Sequence, residues 1–325
     1  MRRNSSLGSV GFSARGGRSR RRHGGSSKLP YLILIGILIV LLGIAAFLWV
    51  RRSPAEHVSS VPTATETDSE NGVISLDNAS APADDSLEGV IAQAKLLADG
   101  YDYDGAINLL SSSTYASDES VTAAIDEYNA TKETLVRADP RKVTHVFFHT
   151  LIMDTSKAFD GDSREKGYNQ VMTTKDEFMK ILQSMYERGF VLVRLHDVAY
   201  EVTAEDGSRH FQEGDIMLPE GKKPFVMSQD DVCYYEYMDG DGFASRMIIG
   251  EDGKPTNEMK MDDGSVSVGS YDLVPLLDDF IKEHPDFSYR GAKACIAFTG
   301  YNGILGYRTN TDTKEWNDEL EANRQ

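Results

Sequence analysis

Two adjacent carboxylates, Asp230 and Asp231, follow the apolar run of KPFVMSQDDV at residues 223–232. In parallel α/β folds the C-terminal ends of strands are where active sites are built. Successive residues leaving a strand point to opposite sides. The two acids of such a pair therefore face apart, into different surroundings. The other adjacent acids, Asp84-Asp85, Asp262-Asp263 and Asp278-Asp279, fall in stretches that read as linker, turn and helix. Only the pair at 230–231 ends a strand-like run.

The histidines are His23, His57, His145, His149, His196, His210 and His284, and only His145 and His149 stand four residues apart. On a strand that spacing puts both on one face about 13 Å apart, too far to share an ion. His145 reads as a packed or capping residue. His149, at the C-terminal end of its strand, is a candidate to line the site. Arg308 in FTGYNGILGYRT, residues 298–309, is a candidate contact for an anionic polymer, against the ordinary reading of a solvated arginine. Asp239, Asp241 and Gly242 begin like a calcium loop, but Phe243 takes the third acidic position and Gly250 stands where a bidentate Glu belongs. No nucleophile-elbow motif supports Ser-His-Asp chemistry. Cys233 and Cys295 are the two cysteines, so one bridge is open and no disulfide framework exists.

Positioning these residues requires strands at 143–148, 190–195, 224–227 and 294–298. Their nearly continuous apolar runs predict a parallel sheet covered on both faces, in an α/β fold. A helix is predicted over 174–188, where Thr174 and Glu177 form a capping box, Phe178, Ile181, Leu182 and Met185 make one face, and Gly189 stops it. Another follows Ser270, with Leu273, Leu277, Phe280 and Ile281 inward, and ends before Pro285. Asp206-Gly207, Asp252-Gly253 and Asp263-Gly264 predict surface hairpins. Before Asp139-Pro140, helical spacing around the turn at 100–105 and a third stretch through Val121, Ile125 and Tyr128 predict a small helical unit at 86–138. AKLLADGYDYDGAINLL within it looks like part of a tetratricopeptide-type hairpin, yet one copy cannot stack as an array. It reads as a spacer or packing unit.

The order of pieces in residues 143–232 resembles the polysaccharide deacetylases with a NodB-type domain. VTHVFFHT looks like that family's first strand, and TTKDEFMKILQSMYERGFVLVRLHDV like its following helix and second strand. KPFVMSQDDV resembles the Thr-Phe-Asp-Asp-Gly segment, with Ser228, Gln229 and Val232 standing where the family has Thr, Phe and Gly. FTGYNGILGYRT is similar to the loop after the next strand. The resemblance implies a partial (β/α) barrel over 141–325 and removal of acetyl groups from a cell-wall or surface polysaccharide by a water bound to a divalent metal, zinc above all. It gives Asp230 as general base and Asp231 as metal ligand. The family's His-Ser/Thr-x-x-His segment is absent from the sequence. The chain is expected to stop before the second half of the domain, since about four strands are too few for a closed barrel. The competing expectation is a catalytically inactive carbohydrate-binding or scaffolding relative.

Residues 31–50, YLILIGILIVLLGIAAFLWV, carry no charge, and 20 residues at about 1.5 Å each match a hydrocarbon core of roughly 30 Å. A signal anchor is expected, because the run ends in large residues and two arginines rather than a small-residue cleavage site. Arg18, Arg20, Arg21, Arg22 and Lys28 in the basic arm at 1–30 put the N-terminus in the cytoplasm and the remainder outside the cell membrane. The net charge of −17 is asymmetric: residues 1–52 hold ten Lys or Arg and no acid, which leaves 24 basic against 51 acidic residues for 53–325. A body this acidic repels phosphate backbones, which argues against nucleic acid as partner. Residues 51–85, rich in Ser, Thr, Pro, Asp and Glu, read as a solvated tether.

Overall fold

The computed structural model describes residues 84–309 and 318–324. The expected basic arm at 1–30, the expected membrane helix at 31–50 and all but the last two residues of the expected tether at 51–85 lie outside the described residues. Among the described residues no helix is long and apolar enough to cross a membrane.

Three capped helices open the described chain. In α1 (Leu87–Asp99) the Ser86 Oγ accepts from the Gly89 amide at 3.1 Å; Asp102 caps α2 (Tyr103–Ser112) and Asp118 caps α3 (Glu119–Glu133) in the same way. Small residues, Ala94, Ala98 and Ala106, let the helices approach around Val90, Leu110 and Val121. Then β1 (Val136–Arg137) leads through a single 3-10 turn at Pro140–Lys142 into β2 (Thr144–Phe148). Short α4 (Thr155–Ala158) and α5 (Glu165–Val171) precede α6 (Lys175–Glu187), whose capping box forms in both directions between Thr174 and Glu177. After β3 (Phe190–Leu192) and α7 (Leu195–Val198) comes a hairpin of β4 (Ala199–Thr203) and β5 (Arg209–Glu213). Next, β6 (Met217–Leu218) pairs antiparallel with β1.

The central strand is β7 (Lys223–Gln229). It runs parallel to β2 on one side, in register Thr144 with Phe225 through Phe148 with Gln229. On its other side lie β3, against residues 223–225, and β11 (Cys295–Ile296), against Ser228 and Gln229. Between β7 and β11 an antiparallel sheet of β8 (Arg246–Ile249), β9 (Pro255–Lys260) and β10 (Val266–Gly269) turns at Gly253 and Gly264, followed by α8 (Leu273–Glu283). A last helix, α9, spans Asp318–Arg324. The architecture is mixed α/β with parallel and antiparallel sheets, and no barrel closes among the described residues.

Period-two alternation on β7 divides the core. Phe225 and Met227 meet Phe178 and Leu182 of α6 and Leu273, Leu277 and Phe280 of α8. Each such side chain, fully buried, contributes about 1.5–3 kcal/mol. Val226 faces the other way, toward Val191, Val193, Ile216, Leu218 and Tyr289. That second cover stops partway along the sheet. The expectation that both faces are covered is therefore corrected at the C-terminal half of β2, where Phe147 is 57% exposed and shares its face with His145 and His149. β2 is an edge strand, and nothing described lies over that part of it.

Candidate active site

The ladder carries Asp230 one residue beyond β7: its amide donates to the Phe148 carbonyl at 2.7 Å. Asp231 then turns left-handed, φ +56°, and Tyr234 does so again at φ +48°. Aspartate is among the residues that enter this region most readily, so the turn needs no glycine at 232. Val232 instead packs buried with Tyr234 and Ala244.

This turn sends the two acids to different partners. Asp230 Oδ1 accepts from Ser228 Oγ at 3.1 Å, as expected of side chains two apart on one strand face. Ser228 Oγ also lies 2.9 Å from His145 Nε2. Asp231 Oδ2 lies 3.9 Å from Nε2 of His149, at the C-terminal end of the neighbouring strand. His145, Phe147 and His149 form a ladder with successive ring centroids 6.2 Å apart, so the two imidazoles flank Phe147, one reaching the Ser228 hydroxyl and the other Asp231. The structure thus brings together Asp230, Asp231 and His149. It adds Ser228 and also His145, which the sequence reads as packed or capping but which is exposed and hydrogen-bonded to Ser228.

Arg308 is placed differently. Its side chain is 13% exposed, one guanidinium nitrogen donates to the Cys233 carbonyl at 2.9 Å and the other to the Tyr234 carbonyl, and Nε lies 3.7 Å from Glu236. It clamps the loop after β7 rather than reaching toward solvent.

Beneath the acids is a buried polar network that the sequence did not signal. Asp272, at the start of α8, accepts from the Leu151 amide at 3.0 Å, Gln229 Nε2 at 2.7 Å and the Tyr234 hydroxyl at 2.7 Å; Tyr234 in turn accepts from Asn257 Nδ2 at 3.0 Å. Burial pushes the Asp272 carboxyl above its ordinary range, against the hydrogen bonds from Tyr234, the Leu151 and Leu273 amides and Gln229. Burial and the adjacent Asp272 push the Tyr234 phenol well up. Gln229, standing where the resembling family has Phe, is thereby accounted for as a partner of a buried acid.

Two ligands of one zinc ion, each about 2.0–2.2 Å from it at a tetrahedral angle, lie about 3.3–3.6 Å apart, and catalytic centres use three protein ligands. Asp231 and His149 stand wider than that. Among the described residues no three His, Cys, Asp or Glu side chains converge on one point. These residues therefore do not fit a resident catalytic ion unaided. The cavity of about 320 Å³ between α6 and β2, lined by Val146, Ile181, Met185 and Phe190, contains none of the site residues. The chain matches no family model, no curated protein and no solved structure.

Proposed function

We propose that residues 141–325 form a NodB-type polysaccharide deacetylase domain, a partial (β/α) barrel that hydrolyses acetyl groups on a cell-wall or surface polysaccharide. The observation that carries this is the convergence of Asp230 and Asp231 from the central parallel strand with His149 from its neighbour, all at C-terminal strand ends. Ser228 occupies Oδ1 of Asp230 and leaves Oδ2 for a water. As the water oxygen attacks the acetyl carbonyl, Asp230 takes its proton; when the bond from carbonyl carbon to sugar nitrogen or oxygen breaks, that proton passes to the leaving atom. Acetate and the free amine or hydroxyl are the products. The family reading also implies a divalent ion such as zinc, toward which Asp231 is the residue positioned; the described residues do not complete its ligand set, and both proton transfers run through Asp230. The reading also keeps the tether, with residues 31–50 in the cell membrane and the domain outside it.

A second reading, an inactive carbohydrate-binding or scaffolding protein, is favoured by the two donors that converge where three are needed. Acetate release from acetylated chitin oligomers or peptidoglycan separates the two. The full chain is expected to release acetate when supplied with Zn²⁺, Co²⁺ or Mn²⁺ and to lose that activity to a chelator, while Asp230→Asn lowers it by about 10²-fold or more with the fold intact. Absence of acetate with every metal would leave the binding reading, and full activity in the Asn variant would remove Asp230 as base.

A further inference from the structure

The loop from Asp231 to Gly242 is held far more firmly than a surface connection requires. Arg308 holds its start through the carbonyls of Cys233 and Tyr234. Arg164 donates to the Tyr237 carbonyl at 2.7 Å, and the Tyr168 hydroxyl donates to Asp241 at 2.8 Å. Lys260 pairs with Asp239, and the Gly242 carbonyl accepts from the Met153 amide at 2.8 Å. Gly242 is at φ +86°, and a Cβ there would meet the Asp154 carbonyl oxygen at 2.3 Å, so only glycine permits that closure.

With Val232, Cys233, Tyr234 and Met238 buried, the bracing leaves Tyr235 half-buried against the cluster of Ile152, Tyr168, Met238 and Phe243 and turns Tyr237 outward. The rings of Tyr235 and Tyr237 stack at 5.3 Å and 22°, and Tyr301, from the loop after β11, meets Tyr235 at 5.8 Å with its plane tilted by 60°. Tyr237 is 53% and Tyr301 76% exposed. The phenols lie close enough to Asp231 for its charge to raise both Tyr235 and Tyr237, after the larger effect of burial.

We propose that the exposed rings of Tyr237 and Tyr301, both packed on the half-buried Tyr235, form an aromatic platform that holds a neutral or amino-sugar pyranose ring beside Asp231. Flat aromatic faces with hydroxyl rims suit a ligand that is apolar on its ring face and polar on its edge. Asp231 and Glu236 share the loop with Tyr235 and Tyr237, while the nearby cations are engaged, Arg308 by the Cys233 and Tyr234 carbonyls and Arg164 by Asp241 and the Tyr237 carbonyl. Polyanionic sugars are therefore repelled and neutral or cationic hexosamines accepted. The inference rests on the polysaccharide reading and goes beyond it in naming the binding face and the charge class.

Binding of N-acetylglucosamine tetramer, glucosamine tetramer and a galacturonate tetramer to the full chain tests it, with Tyr237→Ala/Tyr301→Ala and Tyr301→Phe alongside wild type and a thermal melt to confirm folding. Both substituted rings are exposed, so the fold should persist. The double Ala variant is expected to bind the two hexosamine tetramers at least about tenfold more weakly, and Tyr301→Phe within about twofold of wild type. Galacturonate should bind at least about tenfold more weakly than either. Equal binding by the double variant, tight galacturonate binding or no hexosamine binding by wild type each overturns the platform. Acetate release measured in parallel keeps the deacetylase reading separate: tyrosine-dependent binding without acetate leaves the platform standing and removes the enzyme, whereas acetate with tyrosine-independent binding does the reverse.

Discussion

Ser228 has one proton and two hydrogen-bonding neighbours. If it donates to Asp230, it must accept from His145, so His145 carries its proton on Nε2. The three side chains form a directed chain from an exposed imidazole to the carboxylate proposed as general base. Removing Ser228 Oγ leaves Asp230 free to rotate and deprives His145 of its acceptor. Ser228→Ala is expected to lower kcat about tenfold, roughly 1.4 kcal/mol and near the low end for a hydrogen bond to a charged group, while Ser228→Thr, which keeps the oxygen, stays within about threefold. The ¹⁵N shifts of His145 report its tautomer independently of activity. A pyridine-like Nε2 would break the directed chain whatever the kinetics show.

Elements defined by local chemistry could be read directly from the sequence. The capping box of α6, the stop at Gly189 and the Asp-Gly hairpins need only neighbouring residues, and all stand in the structure. The apolar strands were legible in position, and two of them end early. The run expected at 294–298 narrows to Cys295–Ile296 because Ala297 pairs with Gln229 and Val232 around the left-handed turn. The order of strands about β7, and Asp272 beneath them, depend on partners more than 30 residues away, which no local pattern encodes. Asp272 nevertheless makes a prediction at this scale. Its folded-state pKa is raised, so its contribution to stability is full below the unfolded carboxylate pKa and is lost as pH rises through the folded value. In Asp272→Asn that loss disappears. The buried acceptors Gln229 Oε1 and Asn257 Oδ1, unpartnered now, let both amides flip and receive the reversed hydrogen bonds. The melting temperature of the variant relative to wild type is expected to rise from pH 3 toward pH 7. A flat difference would show that folding does not raise the Asp272 pKa.

At the scale of the whole molecule, the helices at 86–138 pack onto the rest of the described chain. The turn between α1 and α2 packs onto the segment that follows α8: the Tyr101 ring stacks on Tyr289 at 6.2 Å, its hydroxyl donates to the Asp286 carbonyl at 2.8 Å, and the Arg290 amide donates to the Gly100 carbonyl at 2.7 Å. Arg290 also faces Asp102 and Asp104. Tyr101 is held left-handed at φ +67°, a conformation that costs a non-glycine residue about 1 kcal/mol, and it is tolerated because the ring is buried with Val191, Val226 and Tyr289. Two bodies joined by a loose spacer would melt separately, and a change in one would leave the other untouched. A docked pair melts together. Tyr101→Ala is therefore expected to lower the stability of one shared transition by about 3–5 kcal/mol, the range for truncating a buried aromatic. Near-ultraviolet circular dichroism, reporting the tyrosines packed around β7, and far-ultraviolet signal, weighted toward the helices, should move to the same lower melting temperature. If only the helical signal shifts, the α1–α2 unit is a spacer and its contacts with Tyr289 and Arg290 contribute nothing to holding the sheet that carries Asp230.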